Sequence, residues 1–229
     1  MSVRSFIAPF RTVVRRAFHK GLIRQYPFFG YAHEKQIVKR RYLLGEELER
    51  LMKVNLKCES LNFTRDMFLF STFTGLSYSD LKNLQFKHIQ KHTDKNCWIV
   101  LNRQKTGTAS YISILPIIQR ILDKYNNTKF SGVEGFVFKI KTLVNFNVHL
   151  KKIAKTAEID KCLTFHMSRH TFATTVCLSQ GIPIESLSQM LGHSSIKTTQ
   201  IYAEVTRTKI NEDMTNLEKR IEGKYKPAL

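Results

Sequence analysis

Acidic side chains are scarce: 18 Asp and Glu stand against 37 Lys and Arg, a formal charge of +19 and a pI near 9.9. That imbalance exceeds what solubility needs and points to a polyanionic partner, nucleic acid foremost. Long apolar runs are also lacking. No stretch approaches the ~18 to 20 residues that span a bilayer. The N-terminal MSVRSFIAPFRTVVRR is too broken by charge to be a secretory h-region, so no membrane partner is expected. The four cysteines, at 58, 97, 162 and 177, form no CxxC pair and have no metal-type spacing to histidine. Neither a zinc site nor a disulfide framework is therefore expected, only ordinary buried thiols in a reducing cytoplasm. Repeats, low-complexity tracts, a C2H2 finger and the aromatic signature of an RNA-binding sheet are missing as well. What is present is a chain of 229 residues, 42% hydrophobic and 24% charged, enough to bury one or two globular cores.

The basic charge is unevenly spread. Residues 1–41 hold ten Lys or Arg against one acid, Glu34. Within them Ile7, Phe10, Val14, Ala17 and Phe18 recur at helical spacing with Arg11, Arg15, Arg16 and Lys20 between. This predicts one amphipathic helix with a basic face, stopped by Gly21 and Pro27. One helix is not a domain, so it reads as the tail of something removed or as a helix that docks elsewhere, followed by a basic linker. From Tyr42 onward helix signals dominate: Leu44, Leu48, Leu51 and Met52; then Phe63, Met67, Phe68 and Phe70 up to Gly75; then a short helix over 79–84. Pro116 opens another to about Tyr125, and Leu143, Phe146, Leu150 and Ile153 mark one more. A single hairpin interrupts them, CWIVLN (97–102) and SYISIL (110–115), joined by the basic tip RQKTGTA. The expected class is mainly α with a small antiparallel β-sheet or hairpin (α+β).

The stretch from Thr164 to Tyr202 carries the chemistry. In FHMSRHTFATTVCLSQG, a helix predicted to end at Gly181, His166, Arg169 and His170 fall at i, i+3 and i+4 and emerge from one face. By itself the triplet reads equally as a functional patch or as something plainer, a solvated polar stripe or one satisfied core histidine. Zinc is a weaker reading, because Met167 stands where H-E-x-x-H needs glutamate. Downstream, a helix over 184–191 stops at Gly192, His193 follows, and Tyr202 lies nine residues later. Together these side chains suit phosphate chemistry. A phosphodiester under attack gathers negative charge on its non-bridging oxygens, which an Arg fork and His N–H donors hold in paired geometry. A tyrosine of free pKa ~10 attacks only when a base takes its proton, a task suited to histidine near neutral pH. The leaving alkoxide needs an acid, for which Lys105 at the hairpin tip is the candidate. The scheme calls for no metal and no cofactor.

HMSRHTFAT (166–174) followed by LGHSSIKTTQIYAEV (191–205) closely resembles the catalytic boxes of the tyrosine recombinases, the phage-integrase family of site-specific DNA recombinases. RYLLGEELERL (41–51) looks like the start of that family's catalytic domain and FSTFTGLSYSDLKNL (70–84) like its first arginine box. Lys105 looks like its hairpin lysine, and FRTVVRRAFHKGLIRQYPF is similar to the last helix of its core-binding domain and the linker after it. The resemblance implies the integrase catalytic-domain fold and three parts: a core-binding remnant with basic linker (1–41), a catalytic domain (42–206), and a C-terminal helix or tail (207–229). It implies that Tyr202 attacks the scissile phosphate and becomes a 3′-phosphotyrosine. Arg169, His166 and His193 would bind the phosphate oxygens, His166 also taking the Tyr202 proton, and Lys105 would protonate the 5′-oxygen. Neither ATP nor metal is implied. His170 stands in the same box, as part of the phosphate site or as a structural hydrogen-bonding residue.

One position departs from the family. Its first box reads T-G-L-R, and here Thr74, Gly75 and Leu76 are followed by Ser77, with Asp80 and Leu81 in place. A Ser hydroxyl can hydrogen-bond a phosphate oxygen but carries no charge, and losing a charge-assisted bond costs ~3 kcal/mol, about two decades in rate. Recombinases of bacterial conjugative transposons, notably in the Bacteroidetes, resemble this chain at that box, so the substitution is compatible with an active enzyme. Arg65, twelve residues upstream, is ~18 Å away along a helix and too far to substitute. Arg103 precedes Lys105 by two residues, on the same side of an extended strand. It is expected either to supply the missing charge or to contact flanking DNA backbone.

The expected partner is double-stranded DNA, bound by a protein that is monomeric in solution and a homo-tetramer on DNA, with DNA-bending accessory proteins, in a bacterial cytoplasm and nucleoid. Arg11, Arg15, Arg16, Lys82 and Lys87, with Lys91 and Lys95, are expected to meet phosphates and make binding strongly salt dependent. Ile210, Met214, Leu217 and Ile221 form a narrow apolar stripe on a charged C-terminal helix, to be buried on its own domain or on a neighbouring protomer. A non-cleaving DNA-binding regulator or element remnant is the rival reading, supported by Ser77 and by the few residues ahead of Tyr42.

Overall fold

The computed structural model describes residues 3–30, 42–91, 97–104, 107–203 and 207–222. The chain divides into two compact units, Met1–Lys39 and Arg40–Leu229. In the first, α1 (Val3–His19) is the amphipathic helix that the apolar spacing predicts, ended by Gly21 at φ 71°. The chain folds back so that Phe28 meets Phe10 edge-on at 5.9 Å, with the Arg11 guanidinium 5.6 Å above the Phe28 ring. Arg15 and Arg16 are exposed.

The second unit is built around α3 (Glu59–Thr74), which is buried nearly all round through Phe63, Met67, Phe68 and Phe70. A helix apolar on every side must be covered on every side. The cover comes from α5 (Pro116–Tyr125), α6 (Leu143–Thr156) and α7 (His166–Thr171). Aromatic rings lock these layers: Phe63 lies edge-on to Tyr125 at 5.1 Å and stacks on Phe130 at 4.5 Å, and Phe146 meets Phe165 at 5.5 Å. Such pairs contribute about 0.5–1.5 kcal/mol each beyond their burial. The buried acid of α3, Asp66, is 4% exposed and neutralised by Arg65 Nε at 2.8 Å and Lys124 Nζ at 2.6 Å, while the Tyr125 hydroxyl donates to it at 2.8 Å. Arg65 is thereby a structural residue, its NH1 also donating to the Val54 carbonyl.

Helices α2 (Gly45–Lys53) and α4 (Tyr78–Lys82) flank α3. The expected hairpin is present as β2 (Cys97–Asn102) and β3 (Ala109–Ser113), with Ile99 opposite Ile112. The sequence reading missed a third strand, β1 (Ile89–Lys91), which pairs antiparallel with β2 and makes the sheet order β1-β2-β3. Three residues, two of them polar, leave no alternation to detect.

The stretch expected to be one helix up to Gly181 changes pitch. After α7 the backbone widens into a π-helical turn over Phe172–Cys177, tightens into a 3-10 turn over Leu178–Gln180, and ends at Gly181 with φ 81°. Threonine hydroxyls accompany the change, Thr171 and Thr174 bonding back to the Met167 and His170 carbonyls at 2.8 and 2.7 Å. Helices α8 (Ile184–Met190), α9 (Ile196–Gln200) and α10 (Arg207–Ile221) complete the chain.

One expectation changes. The cysteines are not uniformly buried: Cys177 is, Cys97 is partly so, and Cys58 and Cys162 are exposed, because Cys58 stands at the N-terminal end of α3, where that helix emerges from the core, and Cys162 lies in a loop. On α10, the side chains of Met214, Leu217 and Ile221 are exposed, and that of Ile210, the first residue of the expected stripe, lies outside the described residues.

Candidate active site

Arg169 points from α7 into a pocket closed by the ends of two other helices. Its NH1 donates to the Gly75 carbonyl at 2.6 Å and its NH2 to the Leu191 carbonyl at 2.7 Å and to His193 Nε2 at 2.9 Å. Those carbonyls are available because helices leave their last C=O groups unpaired: Gly75 ends α3 in the left-handed conformation, φ 67°, and Leu191 follows α8. Gly75 also has to be glycine, since a Cβ there would lie 2.5 Å from the Phe172 ring. Burial, then the charge of Arg103, lowers the Arg169 pKa to about 10, which leaves the guanidinium charged at neutral pH.

Tyr202 lies in this pocket, 7% exposed, within electrostatic reach of Arg169. Its ring meets His170 edge-on at 5.0 Å and stacks parallel to His193 at 6.3 Å, and His170 in turn meets His166 at 4.7 Å. His170 is 5% exposed and stands between Tyr202 and the exposed His166. His193 is pinned at both ring nitrogens, by Arg169 and by the Thr199 hydroxyl 2.8 Å from Nδ1. Burial, then Arg169 and Arg103, push its pKa down to about 4, so its imidazole is neutral at pH 7.

The broken arginine box is occupied differently from what a sequence comparison shows. Ser77 caps α4: its hydroxyl donates to Asp80 Oδ2 at 2.7 Å and accepts from the Asp80 N–H at 3.3 Å. Arg103 comes into the same corner from the hairpin. Ile99 and Leu101 are the inward-facing residues of β2, and Arg103, one residue past the strand end, continues that alternation inward. It is 3% exposed. Its NH1 pairs with Asp80 Oδ2 at 2.8 Å and its NH2 donates to the Met190 carbonyl at 2.9 Å and, more weakly, to the Gly75 carbonyl at 3.4 Å. Its Nε–H is buried and has no hydrogen-bond partner among the described residues. Burial works against ionising Asp80, but Arg103, Ser77 and the Gln104 N–H outweigh it and hold the carboxyl below the usual carboxylate range. Gly192, φ 58°, is the floor under this arginine: a Cβ there would stand 2.6 Å from Arg103 Cγ.

Tyr202, Arg169, His193, His170, Ser77 and Arg103 thus meet around one pocket, with His166 at its edge. Lys105 and Lys95 lie outside the described residues. Lys82, Lys87 and Lys91 are exposed on α4 and the segment after it. Sequence reasoning missed Thr199, buried between His193 and Tyr202, and the anchoring role of Asp80 and Gly192; the only available signals were a Thr in a helical run and a Gly beside a His. Among the described residues there is no cluster of three His, Cys, Asp or Glu that could hold a metal ion, and no helix long and apolar enough to cross a membrane.

The chain is 29% identical over 228 residues to the tyrosine recombinase XerD of Listeria monocytogenes, covering 92% of this chain and 74% of the relative. It is 25% identical over 226 residues to XerC of Pediococcus pentosaceus, covering 92% and 73%. Its fold matches the Tn1549 transposon integrase in complex with a circular intermediate DNA, with a TM-score of 0.69 at 19% identity over 95% of this chain and 80% of that one. It also matches the XerH site-specific recombinase bound to its palindromic difH substrate, with a TM-score of 0.61 at 20% identity over 77% of this chain and 53% of that one. The sequence pattern of the phage integrase family matches residues 41–209, most of the chain and every element of the pocket, and the chain belongs to that family, the tyrosine recombinases.

Proposed function

We propose that this recombinase cuts and rejoins double-stranded DNA at specific sites through a 3′-phosphotyrosine. The observation that carries the reading is a tyrosine packed between two imidazoles beside a partly buried guanidinium, in a pocket whose other wall holds a second, buried guanidinium. In the reaction Tyr202 Oη forms a bond to phosphorus as the bond to the 5′-oxygen breaks. The tyrosine proton goes to His166, and Lys105 protonates the departing 5′-oxygen. Arg169 and His193 hold the non-bridging oxygens, and Arg103 supplies the positive charge that Ser77 lacks. A guanidinium that is 3% exposed and paired inside the pocket is badly placed to reach flanking backbone, which favours the first of its two expected roles. His170 backs the Tyr202 ring. The phosphotyrosine conserves the energy of the broken bond, so the strand transfer needs neither metal nor ATP.

The reading extends to organisation. Residues 1–41 act as a core-binding helix and basic linker, 42–206 as the catalytic domain, and 207–229 as a tail whose uncovered Met214, Leu217 and Ile221 dock on a neighbouring protomer within a tetramer on DNA. Arg11, Arg15, Arg16, Lys82 and Lys87 contact phosphates, with bending proteins assisting in a bacterial nucleoid. Ser77 in the first arginine box supports a relation to the integrases of conjugative transposons, notably those of the Bacteroidetes. A non-cleaving regulator is not favoured, because it would have no use for a nucleophile held in such a pocket.

Covalent trapping tests this reading. Nicked suicide duplexes tiled across the DNA flanking the gene should give a denaturation-resistant protein–DNA adduct that Tyr202→Phe abolishes. Clear binding with no adduct would overturn it.

A further inference from the structure

His193 is held at both ring nitrogens, and the two partners differ in kind. At Nε2 the neighbour is Arg169 NH2, 2.9 Å away. A guanidinium nitrogen only donates, so Nε2 presents its lone pair. The ring is neutral at pH 7, with burial and the charges of Arg169 and Arg103 opposing protonation. Its one proton therefore sits on Nδ1 and is donated to Thr199 Oγ1, 2.8 Å away. Thr199 is fully buried on α9, three residues before Tyr202.

The choice of a hydroxyl matters. A carbonyl or carboxylate at that place would accept only, and would lock the proton on Nδ1. A backbone N–H would donate only, and would lock it on Nε2. A hydroxyl does either by rotating about its C–O bond. That freedom is needed if the pocket works on a phosphate. Once the Arg169 fork turns from His193 to an anionic oxygen, an imidazole with its lone pair on Nε2 would face that anion and repel it. The same ring with the proton on Nε2 would donate to it.

We propose that Thr199 is the positioning residue that lets His193 exchange tautomers, accepting from Nδ1–H in the free site and donating to Nδ1 when Nε2–H turns to a phosphate oxygen. The ring stays neutral: Nδ1 loses one proton, Nε2 gains one, and water at the partly exposed edge of His193 carries it. This deepens the phosphotyrosine reading and rests on it, while the free-site half stands without it. The free pocket is then a self-satisfied hydrogen-bonded network, and the substrate phosphate converts it to a donor array.

The test uses the full chain labelled with 15N, with Thr199→Val and Thr199→Ser beside wild type. Long-range 1H–15N spectra of the histidine rings at neutral pH are expected to show His193 as the Nδ1–H tautomer in all three, because Arg169 still donates to Nε2, with the Nδ1 proton held as in wild type by Thr199→Ser but shifted upfield and exchanging faster with water in Thr199→Val, where it has lost its acceptor. In the suicide-duplex assay Thr199→Val should slow adduct formation by about tenfold at unchanged DNA affinity, the equivalent of one hydrogen bond, and Thr199→Ser should recover most of it. An Nε2–H tautomer in the free wild type, identical spectra for the Val variant, or wild-type cleavage by it would each overturn the proposal. Spectra as expected with no adduct from wild type would instead overturn the recombinase reading and leave the hold of Thr199 on the ring intact.

Discussion

Arg169 and Arg103 reach the same pocket from unlike backbones. Arg169 rises from a helix inside a recognisable box, whereas Arg103 hangs from the end of a β-hairpin strand, 26 residues after the serine that breaks its box. Their forks nonetheless converge on one acceptor, the Gly75 carbonyl, at 2.6 Å for Arg169 and 3.4 Å for Arg103. They differ in what neutralises them. Arg169 is held by carbonyls and a neutral imidazole, and keeps its charge for an incoming anion; Arg103 is tied to Asp80, which offsets the repulsion between the two cations. A long side chain is defined by where its head group lies, and a guanidinium ~6 to 7 Å from its Cα can be supplied from either direction around a fixed carbonyl.

That comparison can be broken in order of severity. Tyr202→Phe should remove the covalent adduct altogether while DNA binding persists, as read by trapping and by mobility shift. Arg169→Ala should cut the cleavage rate by about 10² to 10³, the effect of losing one preorganised donor at an oxyanion. Arg103→Ala should cost about two decades in the same assay, and equal rates at equal binding would show that the hairpin arginine merely packs. Because the single substitution strands a buried carboxylate, it should also destabilise the fold by about 3–5 kcal/mol. The pair Arg103→Met with Asp80→Asn separates the two effects, restoring much of the melting temperature but none of the cleavage.

Smaller effects sharpen the electrostatics. His193 has a folded pKa of about 4, below the ~6.5 of a free imidazole. The unfolded chain therefore binds a proton that the native state refuses. Stability contributed by the neutral ring is complete above about pH 6.5 and declines as the pH falls toward 4. Denaturant titrations across that window should lose this slope in His193→Gln. Smallest of all, Lys82→Ala and Lys87→Ala should weaken DNA binding uniformly across sequences, each reducing the slope of log affinity against log salt by about 1.

The legibility of the molecule follows the range of the interactions that make it. Periodicity identified α1, α3, α5 and α6, because each buries a stripe or a full circumference and carries its own stop signal, Gly21 and Gly75 among them. It missed β1, whose three residues owe their conformation to pairing with β2, and the π-helical turn after α7, where threonine hydroxyls and packing override helical propensity. The cysteines went astray because thiol burial is a statistical tendency set residue by residue by the surroundings.

At the site, the order His166, Arg169, His193, Tyr202 was determined by the sequence alone, since those residues lie on short segments whose spacing already implies one face and one turn. The basic excess likewise pointed to a polyanionic partner from the sequence alone. Only the tertiary structure decided that Arg103 turns inward, that Asp80 and the bare backbone of Gly192 receive it, that Tyr202 rests inside the pocket, and that Thr199 holds His193. Those are contacts between residues 6 to 89 positions apart, formed where helix ends leave carbonyls unpaired and a buried charge must find its counter-charge, and neither condition exists until the core has assembled.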